Sequence, residues 1–310
     1  MKIVILGKGE MLANLIEGVA DSGFEIAGVF RNERTSMSKF KLFLQDFFKS
    51  SPEVTLIKTR KIHEIKCKSA NSEEFKREIL KLNADIILVG TWREKLKKEI
   101  IDLPTIATIN AHPSLLPKYR GPNPYIQTIL HGETQSGITF HLMTTELDKG
   151  PILAQQKVDI QPFDTAKELK EKTVFQARLL ICELLKRLNA GIVEPIEQDE
   201  SNSSYYGNIS GDERMLDFKN MASTEILNTI RALHPYLPTY ITCGNFFLIV
   251  NPYKARLTKK TGAAGKIISK YAKTRSLTIV CKDGKAIKMS GLKLYRFSPL
   301  TRLFIKLLKF

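Results

Sequence analysis

The feature that most limits the fold is an alternation, through the first half of the chain, of short apolar runs with helix-patterned segments. KIVIL (2–6) reads as a buried strand, EMLANLIEGVADSG (10–23) as a helix with a glycine near its end, and FEIAGVF (24–30) as a second strand. SKFKLFLQDFFKS (38–50) places Phe40, Phe43, Leu44 and Phe47 at helical spacing. SEEFKREILKLN (72–83) opens on Ser72 as an N-cap with acids in the first turn. ADIILVG (84–90) is a further buried strand, and ATI (107–109) ends another. This order predicts an α/β domain with a Rossmann-like, mostly parallel sheet and helices on both faces. Ligands of such sheets bind at the carboxyl ends of strands, and Asn110 stands at one.

The second half reads differently. A helix at about 123–132, the strands SGITFHLM and PILAQQKVDI, and a long helix at about 164–190 complete an N-terminal domain over 1–190. EQDESNSSYYGNISGD (197–212) is polar and rich in Gly, Ser and Asn, which predicts a linker over 191–212. Beyond a short helix near 222–232 come FFLIV, GAAGKIISK and SLTIVCKDGKAIKM, with KDGK as a hairpin turn. They predict a small C-terminal β-barrel domain over 213–310.

Composition narrows the function. The longest apolar runs fall short of the roughly 20 residues of a membrane span. Only five apolar residues precede Gly7, too few for a signal peptide core. Cys67, Cys182, Cys243 and Cys281 form no CxxC pair, which suits a reducing compartment, excludes a disulfide framework and gives no metal site. A cytoplasmic location is expected. Of the net charge of +16, residues 251–310 carry +15, from 16 Lys and Arg against Asp283 alone. Such a block points to a polyanion or an anionic surface, against the simpler reading of a solvated lysine-rich face.

TINAHPSLLPKYRGPNPY (108–125) carries the chemistry. Its four prolines stiffen a loop after a strand end. Asn110 and His112 stand two apart, so in extended geometry they share a face. Asp148 lies in ELDKG, where the Lys-Gly turn would aim it back toward them. With no Ser or Cys nucleophile nearby, the set suits acyl transfer by direct amine attack. Asn110 and protonated His112 would stabilise the oxyanion, and Asp148 would orient the ring and help move a proton. On spacing alone, a loop histidine is more often structural.

NAHPSLLPKYRGPNP, followed by HGETQSGITFHLM and ELDKGPILAQ, closely resembles the signature of the 10-formyltetrahydrofolate-dependent formyltransferases. The match includes the Asn-x-His-Pro-Ser-Leu-Leu-Pro run and an Asp 36 residues after the His. The resemblance implies that Asn110, His112 and Asp148 are catalytic and that 10-formyltetrahydrofolate is the co-substrate, with no metal. It implies a folate slot along 90–101, including Gly90, Trp92, Leu96 and Ile101, of which Leu96 and Ile101 equally read as helix-to-sheet packing. Ser114 and Arg120 of the same loop are expected at the substrate, although Arg120 equally reads as a pin for the loop. DERMLDF (212–218) and IRALHPYLPTY (230–240) resemble the segments that lead into the family's C-terminal OB-like barrel.

Two-domain members formylate methionyl-tRNA or amino sugars. The basic C-terminal domain favours tRNA as partner, with a nucleotide- or lipid-linked amino sugar as the alternative. A non-catalytic nucleic-acid or membrane adaptor is a third reading, which the intact triad disfavours. FRNERTSMSKFKLF (30–43) departs from the pattern of tRNA-directed members, although Arg31, Arg34, Lys39 and Lys41 keep some positive charge. GKGEML (7–12) has Leu12 where a dinucleotide fingerprint needs a third glycine. His141 either borders the site or fills a hydrogen-bonded structural role. The tail SPLTRLFIKLLKF (298–310) reads as a basic amphipathic helix docked on the barrel rather than lying on a membrane.

Overall fold

The structure, a computed structural model, describes residues 1–33, 37, 51–209, 212–243, 246–269 and 276–296. The expected helix at 38–50, the cations Arg34, Lys39 and Lys41, and the tail from 298 lie outside the described residues.

The chain divides into two compact units, Met1–Gly121 with Gly137–Val158 and Glu171–Tyr205, and Pro122–Ser136 with Asp159–Lys170 and Tyr206–Phe310. Two short segments within 1–190 thus group with the second unit, in addition to the chain beyond Tyr205.

In chain order the first elements are β1 (Lys2–Gly7), α1 (Gly9–Ser22), β2 (Glu25–Arg31), α2 (Pro52–Thr59), α3 (Glu73–Leu82), β3 (Ile86–Gly90), α4 (Lys98–Ile101) and β4 (Ala107–His112). They are followed by α5 (Pro124–Leu130), β5 (Gln135–Leu142), β6 (Ile152–Asp159) and α6 (Ala166–Asn189). The sheet runs β2-β1-β3-β4-β5-β6. The β1/β2, β1/β3 and β3/β4 pairs are parallel, and β5 turns antiparallel to β4. Alternation within the apolar strands builds two cores. Ile3, Ile5, Ile86, Leu88 and Ile109 face α1 and α6, while Val4, Leu6, Ile87 and Val89 face Phe75 and Ile79 of α3. Ser72 caps α3 as expected, accepting the Phe75 N–H at 3.1 Å.

Leu12, the departure from the dinucleotide fingerprint, is fully buried in the first of these cores. Leu96, Ile100 and Ile101 are buried in the second, next to Phe30 and Val89.

The second unit holds α7 (Ser223–Leu233), which packs on α5, and the strands β7 (Tyr240–Cys243), β8 (Phe246–Ile249), β9 (Ala255–Thr261), β10 (Ile267–Ser269), β11 (Ser276–Val280), β12 (Lys285–Ser290) and β13 (Lys293–Arg296). The expected hairpin turn joins β11 to β12, with Gly284 at φ 78°. An antiparallel β domain is therefore present. Among the described residues its strands lie in two separate sheets, β10-β11-β12-β9 and β13-β8-β7, and no closed barrel is formed. No helix among the described residues is long and apolar enough to cross a membrane.

Candidate active site

β4 is sandwiched between β3 and β5, which puts Asn110 in register with Val89 on one side and His141 on the other. Because Ile109 and Ala111 face the α1/α6 core, Asn110 and His112 project from the opposite face, together with His141. Asp148 reaches them from the turn after β5. Its backbone is left-handed, at φ 56°. Gly150 completes the turn, since a Cβ there would collide with the Leu142 carbonyl oxygen.

The three residues converge on one oxygen. Asp148 Oδ1 stands 3.4 Å from Asn110 Nδ2, 3.4 Å from His112 Nδ1 and 3.8 Å from His141 Nε2. The other carboxylate oxygen accepts the Gly121 N–H at 3.0 Å. His112 is 4% exposed, and its Nε2 donates to the Tyr119 carbonyl at 2.9 Å. Its ring presents N–H donors to both acceptors only when both nitrogens carry protons.

His141 was not among the expected catalytic set, yet it orients Asn110. Its Nδ1 lies 2.9 Å from the Leu142 carbonyl, which can only accept, so Nδ1 carries the proton. Burial, with the neighbouring His112 adding to it and Asp148 opposing, pushes the His141 pKa down to about 4. The ring is therefore neutral near pH 7, and Nε2 is an acceptor for the Asn110 amide at 3.1 Å. The direct cross-strand pairing of Asn110 with His141 is the signal that could have found it, once β4 and β5 are paired in register.

The contacts fall into two groups. Those of 2.9–3.1 Å fix His112, His141, Asn110 and the far side of Asp148. Those of 3.4 Å, around Asp148 Oδ1, are long and weak. The loose contacts are the ones a reacting group can replace, and free-enzyme hydrogen bonds of this kind commonly tighten only around substrate.

Ser114 and Arg120 both have partners within the protein. Ser114 is fully buried and donates to the Lys118 carbonyl at 2.7 Å. Arg120 is 4% exposed, with its guanidinium on Gln198 and Glu200. Of the expected folate residues, Leu96 and Ile101 are core side chains, and the Cα of Gly90 abuts Leu15 and Met11 of α1. Trp92 is different. It is half-buried, its ring lies 5.2 Å from that of Phe30, and its enclosed indole N–H has no hydrogen-bond partner among the described residues. An unmet buried donor beside an apolar wall suits a flat heteroaromatic ligand with acceptor atoms. An open depression of about 600 Å3 lined by Met1, Lys2 and Asp85 lies at the N-terminal ends of β1 and β2, the wrong end of a parallel sheet for the chemistry.

Two family models match the chain, formyl transferase over residues 1–185 and the formyl transferase C-terminal domain over residues 208–299. The chain belongs to the formyl transferase family. The methionyl-tRNA formyltransferase of Thermotoga sp. (strain RQ2) is 30% identical over 232 residues, which are 75% of this chain and 72% of that protein. That of Kosmotoga olearia is 28% identical over 297 residues, 94% of this chain and 92% of its own length. Among solved structures, the N-formyltransferase from Helicobacter canadensis, in complex with folinic acid and dTDP-3-aminofucose, matches with a TM-score of 0.70 at 21% identity. The match covers 94% of this chain and 99% of that one. WlaRD, a sugar 3N-formyl transferase, gives 0.69 at 20% identity over 94% of this formyl transferase and 97% of its own chain. At these identities the two structures show the fold.

Proposed function

We propose that the chain transfers the formyl group of 10-formyltetrahydrofolate to the amino group of methionyl-tRNA, with Asn110, His112 and Asp148 as catalytic residues. The observation that carries the transfer is the convergence of Asn110, His112 and Asp148 around Asp148 Oδ1. The folate would lie against Trp92, whose indole N–H would meet one of its acceptors. A neutral amine attacks the formyl carbon and the C=O electrons move to oxygen. Asn110 and His112 N–H groups, exchanged from their loose contacts with Asp148, stabilise that oxyanion. Asp148 then carries a proton from the new ammonium toward N10 as the C–N10 bond breaks, which releases tetrahydrofolate.

Support for tRNA as acceptor comes from the two methionyl-tRNA formyltransferases above and from charge. Arg256 of β9 and Lys288 of β12 are both exposed and stand directly opposite each other. Like charges so placed are destabilising, and an RNA backbone would neutralise them. In this reading residues 1–190 form the catalytic domain, 191–212 connect, 213–310 form an OB-like tRNA-binding domain, and the protein works in the cytoplasm.

A second reading, an amino sugar as acceptor, is favoured by Arg31. This cation of the departing segment is 2% exposed and paired with Glu64 at 2.6 Å, so its charge is turned inward rather than toward RNA. Purified protein with 10-formyltetrahydrofolate, offered methionyl-tRNA and dTDP-amino sugars side by side, separates the two. Formylation of methionyl-tRNA that weakens steeply with salt supports the first, and formylation of the sugar alone establishes the second.

A further inference from the structure

The stretch with linker composition is a strap across the active-site loops. Ile196 exchanges main-chain hydrogen bonds with Ile152 of β6 at 2.7 and 2.8 Å. Gln198 Nε2 then donates to the carbonyl oxygens of Asp148 and Gly150, at 2.8 and 2.7 Å. Its Oε1 accepts from Arg120 Nε and Nη2 at 3.2 and 2.7 Å. The Glu200 carboxylate accepts from Nη1 and Nη2 of the same guanidinium, at 2.9 and 2.7 Å. Ser204 ends the strap: its Oγ accepts the Tyr119 N–H and its carbonyl accepts the Arg120 N–H, both at 2.9 Å.

These contacts terminate on the two residues that hold His112. Tyr119 supplies the carbonyl on Nε2 and Asp148 the carboxylate near Nδ1. Both are non-glycine residues in left-handed backbone, at φ 59° and 56°. Such conformations persist only where the surroundings over-determine them. Gln198 is the node the two loops share, since one end of its amide faces the buried guanidinium of the Pro-rich loop and the other faces the main chain of the Asp148 turn. The amide cannot be reversed, because guanidinium offers only donors and the carbonyls only acceptors.

We infer that Gln198 is a positioning residue of the formyl-transfer centre. Its amide N–H groups hold the Asp148 turn, and the Arg120–Glu200 pair holds its other end. The inference rests on the reading of Asp148 as catalytic.

The test uses full-length Gln198→Glu, Gln198→Ala and Asp148→Ala proteins with 10-formyltetrahydrofolate and whichever acceptor the parent protein formylates. Gln198→Glu keeps an acceptor for Arg120 but loses both donors and sets an anion against two carbonyl oxygens. Rates are taken per molecule competent to bind formyl-folate, which removes any loss of folded protein. Both Gln198 variants are expected to lose about 30-fold in kcat with the KM for formyl-folate within about twofold of the parent. The ring N–H resonances of His112 are expected to shift in both. Parental kcat in Gln198→Glu, with unshifted His112 resonances and an inactive Asp148→Ala, overturns the role of Gln198 alone. Full activity of Asp148→Ala overturns the reading of the centre, and the inference with it.

Discussion

The Asp148 centre and the β9–β12 face carry charge in opposite ways. Around Asp148 the two histidines are buried and Asn110 and Asp148 half-buried, each facing a partner, and the two left-handed residues are held by a strap. On β9 and β12, Arg256 and Lys288 face water and each other. A polar set built around buried side chains must be organised before substrate arrives, because every unmet group in a low-dielectric site is costly. An exposed cationic face needs no such order and depends on what binds it. The proposed reaction therefore rests on geometry, and the proposed tRNA acceptor on surface charge.

The comparison predicts large effects at the centre and graded ones at the surface. Asn110→Ala removes the proposed oxyanion donor and is expected to lower kcat by about 10²- to 10³-fold with little change in KM, read by steady-state kinetics. A loss below fivefold would break the oxyanion role of Asn110.

Next is the stability effect of His141. Its folded pKa of about 4 lies below the unfolded value near 6.5, so between these pH values the unfolded chain binds more protons. Stability is complete above pH 6.5 and falls as pH drops toward 4, by roughly 3 kcal/mol from this group. Urea unfolding of the parent and His141→Gln across pH 4–7 checks it, and the variant should lack that part of the slope.

At the surface, on the proposed tRNA acceptor, Arg256→Glu with Lys288→Glu is expected to weaken tRNA binding about tenfold and reduce the log–log salt slope by about 2, while leaving the formyl-folate KM unchanged. The smallest effect belongs to Trp92→Phe. Loss of its indole N–H should raise the formyl-folate KM about three- to tenfold without lowering kcat.

Much of this was legible in the sequence where a local rule sufficed. The apolar runs became the strands of the large sheet, Ser72 became a cap, and Lys282–Lys285 became a hairpin turn. Asn110 and His112 share a face because they are two apart on a strand, and Gly150 marks the turn that carries Asp148 back. Helices α2 and α4, of 8 and 4 residues, were too short to show a period. Leu96 and Ile101 read as slot or core from sequence, and the structure buries both in the core that holds Phe30 and Val89. Arg120 and Ser114 were expected at the substrate, but their partners depend on how the loop folds. Gln198 sits 78 residues from Arg120 inside a segment of linker composition, and side-chain bonds over such a distance leave no periodic trace.

The most direct test is single-turnover formyl transfer by Asp148→Asn against the parent, with 10-formyltetrahydrofolate binding measured on the same samples. The variant keeps the shape of the side chain but loses the carboxylate on which Asn110 and His112 converge. The expected result is a loss of at least about 10³-fold in rate with folate affinity within about twofold of the parent. A rate within tenfold of the parent would contradict the assignment of Asp148 to the reaction.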